Sequence, residues 1–235
     1  MDKLIETIVG AIEDKKGKNI VSLDLSGFDG AICSRFIVCN ADSTTQVGAI
    51  AAGIDVLGEN REQEMTKKLA EHAYDGAPLH FIGHLQRNKV KNVVGKVAMI
   101  ESVGSLELLS AIDKQAEKLG IVQDILLEVN IGGEEAKSGF APESLEQAAE
   151  EAKKCANVRV RGLMCIPPVA EGEHGSLPYF EKVHALFVDI NAKLYDNTLD
   201  ILSMGMSGDY EDAVRAGATM VRVGTAIFGA RNYTI

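Results

Sequence analysis

No apolar run in this chain approaches the ~20 residues needed to span a bilayer. The first stretch, MDKLIETIVGAIEDKKGK, has the period of an amphipathic helix interrupted by Glu and Asp, and lacks the unbroken apolar core of a signal peptide. Cysteine is scarce. Cys33, Cys39, Cys155 and Cys165 show no CxxC spacing and no paired histidines, which argues against both a zinc site and a disulfide framework. A reduced, cytoplasmic protein without a membrane partner is expected. Positive charge is also short: Lys plus Arg is 24 against 34 for Asp plus Glu, a net charge of −10. General attraction to nucleic-acid phosphates is therefore not expected, which leaves only a local basic patch to consider. No Pro/Ser-rich linker or low-complexity tract divides the 235 residues. That length suits one barrel or two small domains, and one α/β barrel is the simpler fit.

From residue 35 onward, short β-branched runs alternate with longer segments of helical period, the pattern of repeated βα units. The spacing predicts strands at 35–40, 54–59, 79–83, 97–102, 124–130, 158–166, 199–205 and 219–224. Helices are expected near 44–53, 61–74, 86–93, 105–119, 142–156, 177–194 and 209–217, with a terminal turn beyond Thr225. Near-continuous apolar strands suit a parallel sheet covered by helices. Eight units without a GxGxxG turn favour a closed (β/α)8 TIM barrel over a doubly wound open sheet. Residues 1–34 follow another grammar. After the first helix comes NIVSLDLSG (19–27), an extra strand-like run leading with no intervening helix into RFIVCN (35–40), which suggests a hairpin or an addition before the barrel.

Barrel enzymes place their sites at the C-terminal ends of strands, and the loops after the last two strands commonly bind phosphate. Here those loops read Ser203-Met204-Gly205-Met206-Ser207-Gly208-Asp209 and Arg222-Val223-Gly224-Thr225. Glycine lets backbone approach an anion, while hydroxyls and helix-start N–H groups donate to its oxygens. Either loop alone is better explained by Ser207 and Asp209 capping the next helix and Gly224 ending a strand. Their paired placement favours an anion site. Arg222 falls within a strand, where an inward guanidinium needs an anion or acceptor; outward, it would pair with a helix carboxylate. Further polar groups stand at strand ends: Glu59, Asn60, His84, Gln86, Glu101, Ser102 and Asn130. Their convergence would make one polar pocket, but none forms a Ser/His/Asp or metal-ligating pattern.

The segments AGIDVLGENREQEM (52–65), HFIGHLQRNKVK (80–91), IESVGSLELL (100–109), LLEVNIGGEEAKSGF (126–140), RGLMCI (161–166), ILSMGMSGDYEDAV (201–214) and TMVRVGTAIFGAR (219–231) closely resemble the pyridoxal 5′-phosphate (PLP) homeostasis family, alanine-racemase-like barrels that bind PLP. The resemblance implies that Ser203, Met206, Ser207, Gly208, Gly224 and Thr225 surround the cofactor phosphate, that Arg222 approaches the pyridine nitrogen, and that Asn60 lines the ring pocket. An arginine there disfavours protonation of the ring, which suits a carrier better than a catalyst. The family carries its cofactor as a Schiff base on a lysine in a Ser-Lys-Thr sequence ending strand one. Counting back from Gly58-Glu59-Asn60 puts that position at or near Cys39, and no lysine lies between Lys18 and Lys67. PLP, or another phosphate-bearing small molecule, would then bind non-covalently, weakly or not at all. Lys137 is an alternative amine after strand five, although pairing with Glu134 or Glu135 as a solvated loop lysine explains it better.

The front of the chain, LIETIVGAIEDKKGKNIVSLDLSGFDGAICSRFIVCNADSTTQVGAIA (4–51), resembles the N-terminal half of the ribosomal silencing factor family. That resemblance implies a ribosomal partner, with the second half of that fold missing. The chain thus reads as a chimaera joined near Gly48–Gly53 within one domain: 1–51 is expected to supply the first βα unit, and 52–235 the rest of the barrel. A ribosome-associated binding module and a barrel scaffold without a ligand are the alternative functions. An ordinary racemase would need the absent lysine and a second catalytic acid/base.

Overall fold

The computed structural model of the chain describes residues 18–24, 35–40, 56–74, 77–134, 137–172 and 174–225. The expected helices at the N-terminus and at 44–53, and the turn beyond Thr225, lie outside them. Two strands come first: β1 (Lys18–Asp24) and β2 (Arg35–Asn40). Seven more follow: β3 (Leu57–Glu59), β4 (Leu79–Phe81), β5 (Met99–Val103), β6 (Gln123–Val129), β7 (Val158–Cys165), β8 (Ile201–Met206) and β9 (Met220–Arg222). Between these seven run α1 (Glu62–Ala70), a 3-10 helix at Arg87–Asn92, α2 (Leu106–Leu119), α3 (Leu145–Lys154), α4 (Leu177–Leu194) and α5 (Tyr210–Arg215).

The seven strands from β3 to β9 form one parallel sheet in sequence order, the nearly closed α/β arrangement of a TIM barrel. The strand pattern thus leads to the right architecture, with one correction. Arg35–Asn40, expected as barrel strand one, pairs antiparallel with β1 in a separate two-stranded sheet, in a register that sets Ser22 against Ile37 and Leu23 against Phe36. Antiparallel partners can be joined by a short connection, whereas a parallel neighbour demands a crossover, so the local partner takes the edge.

Each helix turns one apolar stripe to the sheet. In α2 that stripe is Leu108, Leu109, Ile112 and Ala116; in α3 it is Leu145, Ala148, Ala149 and Ala152. Ser105 starts α2 by accepting from Leu108 N at 3.2 Å, and Gly120, at φ 65°, ends it in the left-handed conformation. Outward strand residues such as Ile100, Ile125, Leu127, Leu163 and Leu202 join these stripes in the main core.

The inward strand residues form three tiers, as barrel interiors do. At the strand starts, Arg159 grips Asp124 through two hydrogen bonds of 2.7 and 2.8 Å, and Arg161 bridges Asp124 to Asp200. Burial alone would raise the Asp124 carboxyl; the two guanidiniums hold it below the usual carboxylate range. Above this lies an apolar tier of Met99, Leu126 and Met164, against which Ile166 and Ile201 pack. Toward the strand ends the interior becomes polar again.

Candidate functional site

The polar tier is a chain of side chains crossing the barrel. Arg222 of β9 points inward, its Nη1 donating to Ser203 Oγ of β8 at 2.6 Å and its Nη2 to the Cys165 carbonyl of β7 at 2.8 Å. Ser203 donates in turn to Glu101 Oε2 of β5 at 2.6 Å, and the other Glu101 oxygen meets His80 Nδ1 of β4 at 2.7 Å. His80, Glu101 and Ser203 are all buried. The inward reading of Arg222 is therefore the one the fold adopts, with neutral acceptors as its immediate partners.

Glu128, one strand further round, is buried as well, and its Oε2 has no hydrogen-bond partner among the described residues. Burial pushes its carboxyl up, against the opposing pull of the Ser138 hydrogen bond and the nearby His84 and Arg222. The Cys165 thiol beside this tier is fully buried and pushed up to about 12, chiefly by desolvation, so it is not a thiolate nucleophile.

At the rim above the tier, the loops after β8 and β9 are tied together: Gly224 N donates to Ser207 Oγ at 3.2 Å. Asp209 does not cap α5 with its side chain. It turns back to accept from Met206 N at 2.6 Å and closes the 206–209 loop on itself. Gly205, at φ 93°, is required there, since a Cβ would lie 2.5 Å from the Ala213 side chain. Side chains placed at Gly208 or Gly224 would meet nothing within 4 Å, so both glycines border open space. Gly208, Gly224, Thr225 and Met206 are exposed, and Ser207 is half-buried.

Ser203, which the family resemblance would put around a phosphate, has its hydroxyl engaged by Arg222 and Glu101 in the interior. Asn60 is exposed at the end of β3, where its carbonyl packs so closely on Gly83 that a Cβ there would lie 1.9 Å away. Of the other strand-end groups, only Glu101 joins the interior chain. Glu59 is taken by Lys68 and by Tyr74 Oη at 3.0 Å, Ser102 donates to the Gly83 carbonyl at 2.5 Å, and Asn130 donates to the Glu134 and Lys137 carbonyls. Lys137 itself is paired with Glu134. His80 and Glu128 are not among the sequence candidates; the strand pairing reveals them as inward, with His80 in register with inward Met99 and Glu128 with inward Met164.

Open clefts of about 340 and 300 Å³ lie elsewhere, one around Lys153, Arg159 and Tyr195 at the strand starts and one beside Ser105 and Phe140. Neither holds the polar tier, which gives more chemical definition than their shallow walls. None of the seven barrel strands contains a lysine. Among the described residues no group of His, Cys, Asp and Glu is arranged to hold a metal, and no helix is long and apolar enough to cross a membrane.

Residues 43–232 match the family model described as alanine racemase, N-terminal domain, and residues 1–73 match that described as ribosomal silencing factor during starvation. The two matches overlap over 43–73, which encloses the join expected near Gly48–Gly53. The pyridoxal phosphate homeostasis protein of Aquifex aeolicus is 47% identical over 181 residues, covering 77% of this chain and 79% of its own length. The structure of PipY from Synechococcus elongatus without PLP is 32% identical with a TM-score of 0.73, covering 81% of this chain and 89% of PipY. PipY with PLP bound is 33% identical with a TM-score of 0.69, covering 77% and 84%.

Proposed function

Since the chain belongs to the alanine racemase N-terminal domain family, among its pyridoxal phosphate homeostasis proteins, we propose that it binds PLP, or a related phosphate ester, without a covalent bond. The observation that carries this reading is the bridge from Gly224 N to Ser207 Oγ, which joins two small-residue loops at the rim above an inward arginine. Ser207, Gly208, Gly224 and Thr225 would hold the phosphate, with Met206 beside it. The open space at both glycines suits an anion cradle. Arg222 would face the pyridine nitrogen and Asn60 would line the ring.

When bound, PLP supplies an electrophilic aldehyde on a ring able to accept electrons. The Arg222 guanidinium would disfavour a proton on the ring nitrogen and keep that capacity low. Holding and releasing the cofactor is then the activity, in a cytoplasmic carrier rather than a catalyst. The covalent anchor is lost on this reading, because the seven described barrel strands contain no lysine, and Cys39, the position counted back from Asn60, lies on β2 outside their sheet.

The domain reading that accompanies this is a chimaera, with 1–51 from a silencing-factor-like protein and 52–235 forming the barrel. The match over residues 1–73 favours a second function, ribosome association through that segment. A barrel scaffold with no current ligand is the remaining reading. Equilibrium dialysis with PLP decides among them: saturable binding that inorganic phosphate competes away supports the carrier, while no saturation overturns it. Co-sedimentation with large ribosomal subunits tests the second.

A further inference from the structure

The charged ends of the interior chain are Arg222 and Glu101, and among the described residues they meet only through Ser203. A serine hydroxyl has one hydrogen to donate and lone pairs to accept with. Arg222 can only donate, and an ionised Glu101 can only accept, so the hydroxyl hydrogen of Ser203 is committed to Glu101 and its lone pair to the guanidinium. Glu101 is 1% exposed and Ser203 0% exposed, so solvent screens neither the carboxylate nor the bridging hydroxyl. A carboxylate buried this deeply needs compensation, and the guanidinium across Ser203 is the nearest fixed positive charge joined to it by hydrogen bonds. His80 Nδ1 on the other carboxylate oxygen fixes the plane in which that carboxylate lies.

We propose that Glu101 is the buried counter-ion of Arg222 and, acting through Ser203, positions the guanidinium that faces the ligand ring. This deepens the reading of the site as a PLP pocket and rests on it. Glu101 and Ser203 are positioning residues: neither touches the ligand. Ser203 is thereby moved from the phosphate shell to the ring side of the site. Its only hydrogen is in use, and a phosphate oxygen would have nothing to receive from it.

A purely structural role would lower stability, and with it the binding of every ligand alike. A positioning role acts on the ring alone. The test therefore measures dissociation constants for PLP and for inorganic phosphate, by dialysis, on the full chain and on Ser203→Ala and Glu101→Gln. Glu101→Gln keeps the side-chain shape and removes the charge; Ser203→Ala removes only the bridge and is the variant to rely on if Glu101→Gln does not fold. Loss of one charge-assisted hydrogen bond should weaken PLP binding by about tenfold in each, with phosphate binding changed by less than about twofold. Equal losses for PLP and phosphate, or no loss for either, overturn the proposal.

If the parent chain binds neither ligand, the PLP reading itself has failed, and the relay is judged in the ligand-free protein. There Glu101→Gln, Arg222→Gln and the double variant should be non-additive by about tenfold in the unfolding equilibrium constant. Additive effects mean that Glu101 and Arg222 are not coupled, and overturn the proposal.

Discussion

The two ends of the barrel interior handle charge in opposite ways. At the strand starts every ion is met directly by its opposite: Arg159 and Arg161 enclose Asp124, and Arg161 also holds Asp200. At the strand ends, among the described residues, Arg222 has only a hydroxyl and a carbonyl as its immediate partners, Glu101 is reached at one remove, and Glu128 keeps an oxygen with no partner. The first arrangement is complete as folded. The second leaves hydrogen-bonding capacity unspent beside an open rim, as expected of the end of a barrel that takes a ligand. The apolar tier of Met99, Leu126 and Met164 insulates one set from the other, so changes at either end should be felt separately.

The sharpest break of that comparison is at the rim. Replacing Ser207 and Thr225 together by leucine should weaken PLP binding at least about 100-fold, since two donors to a charged phosphate are lost and the cradle is filled. The unfolding midpoint should hold to within a few degrees. Unchanged affinity by dialysis would remove the phosphate site from these loops.

Asp124→Asn makes the converse case. It leaves two guanidiniums facing a neutral amide and should cost about 2 kcal/mol in denaturant unfolding, less than for a fully enclosed pair because Arg159 is mostly exposed. PLP affinity should not move. Because the folded-state carboxyl is held low, its contribution is present above the unfolded pKa, near 3.8, and is lost as pH falls through the lower folded value. The variant's deficit should therefore shrink in acid.

Glu128 carries the opposite sign. Its carboxyl is held up by burial, so the folded state retains a proton that the unfolded chain releases above its ordinary value of 4.5. Stability falls as pH rises through that window and stays reduced at neutrality. Glu128→Gln should raise the melting temperature by about 2–4 °C at pH 7, a gain that disappears below pH 4. A gain of the same size at both values would mean that the charge of Glu128 is not the cause.

The smallest effect is expected from Cys39→Lys. Because β2 is paired with β1 and lies outside the seven-stranded sheet, a lysine there should not capture PLP. Trapping by borohydride on that variant would place β2 in the barrel.

These contrasts also mark how far the sequence could be read. The limits of Arg35–Asn40 follow from its β-branched run, yet nothing in that run names its partner, and the strand went to the hairpin. The barrel strands were legible because parallel strands covered on both faces are apolar almost throughout. The same property hid the polar tier: within LHF and ILSMGM the inward residue is set by parity, and parity needs a register that only pairing supplies. The rim loops were legible because glycine and serine cluster there. The direction of the Ser203 hydroxyl was not, since Glu101, its partner, is 102 residues away.

The central claim is that the rim holds PLP with no covalent anchor. Incubating the full chain with PLP, reducing with borohydride and measuring intact and peptide masses tests it most directly. The expected result is unmodified protein after dialysis, from a sample whose unreduced twin bound PLP reversibly and saturably. A stoichiometric mass increment of one reduced PLP, mapped to a lysine such as Lys137, would contradict it.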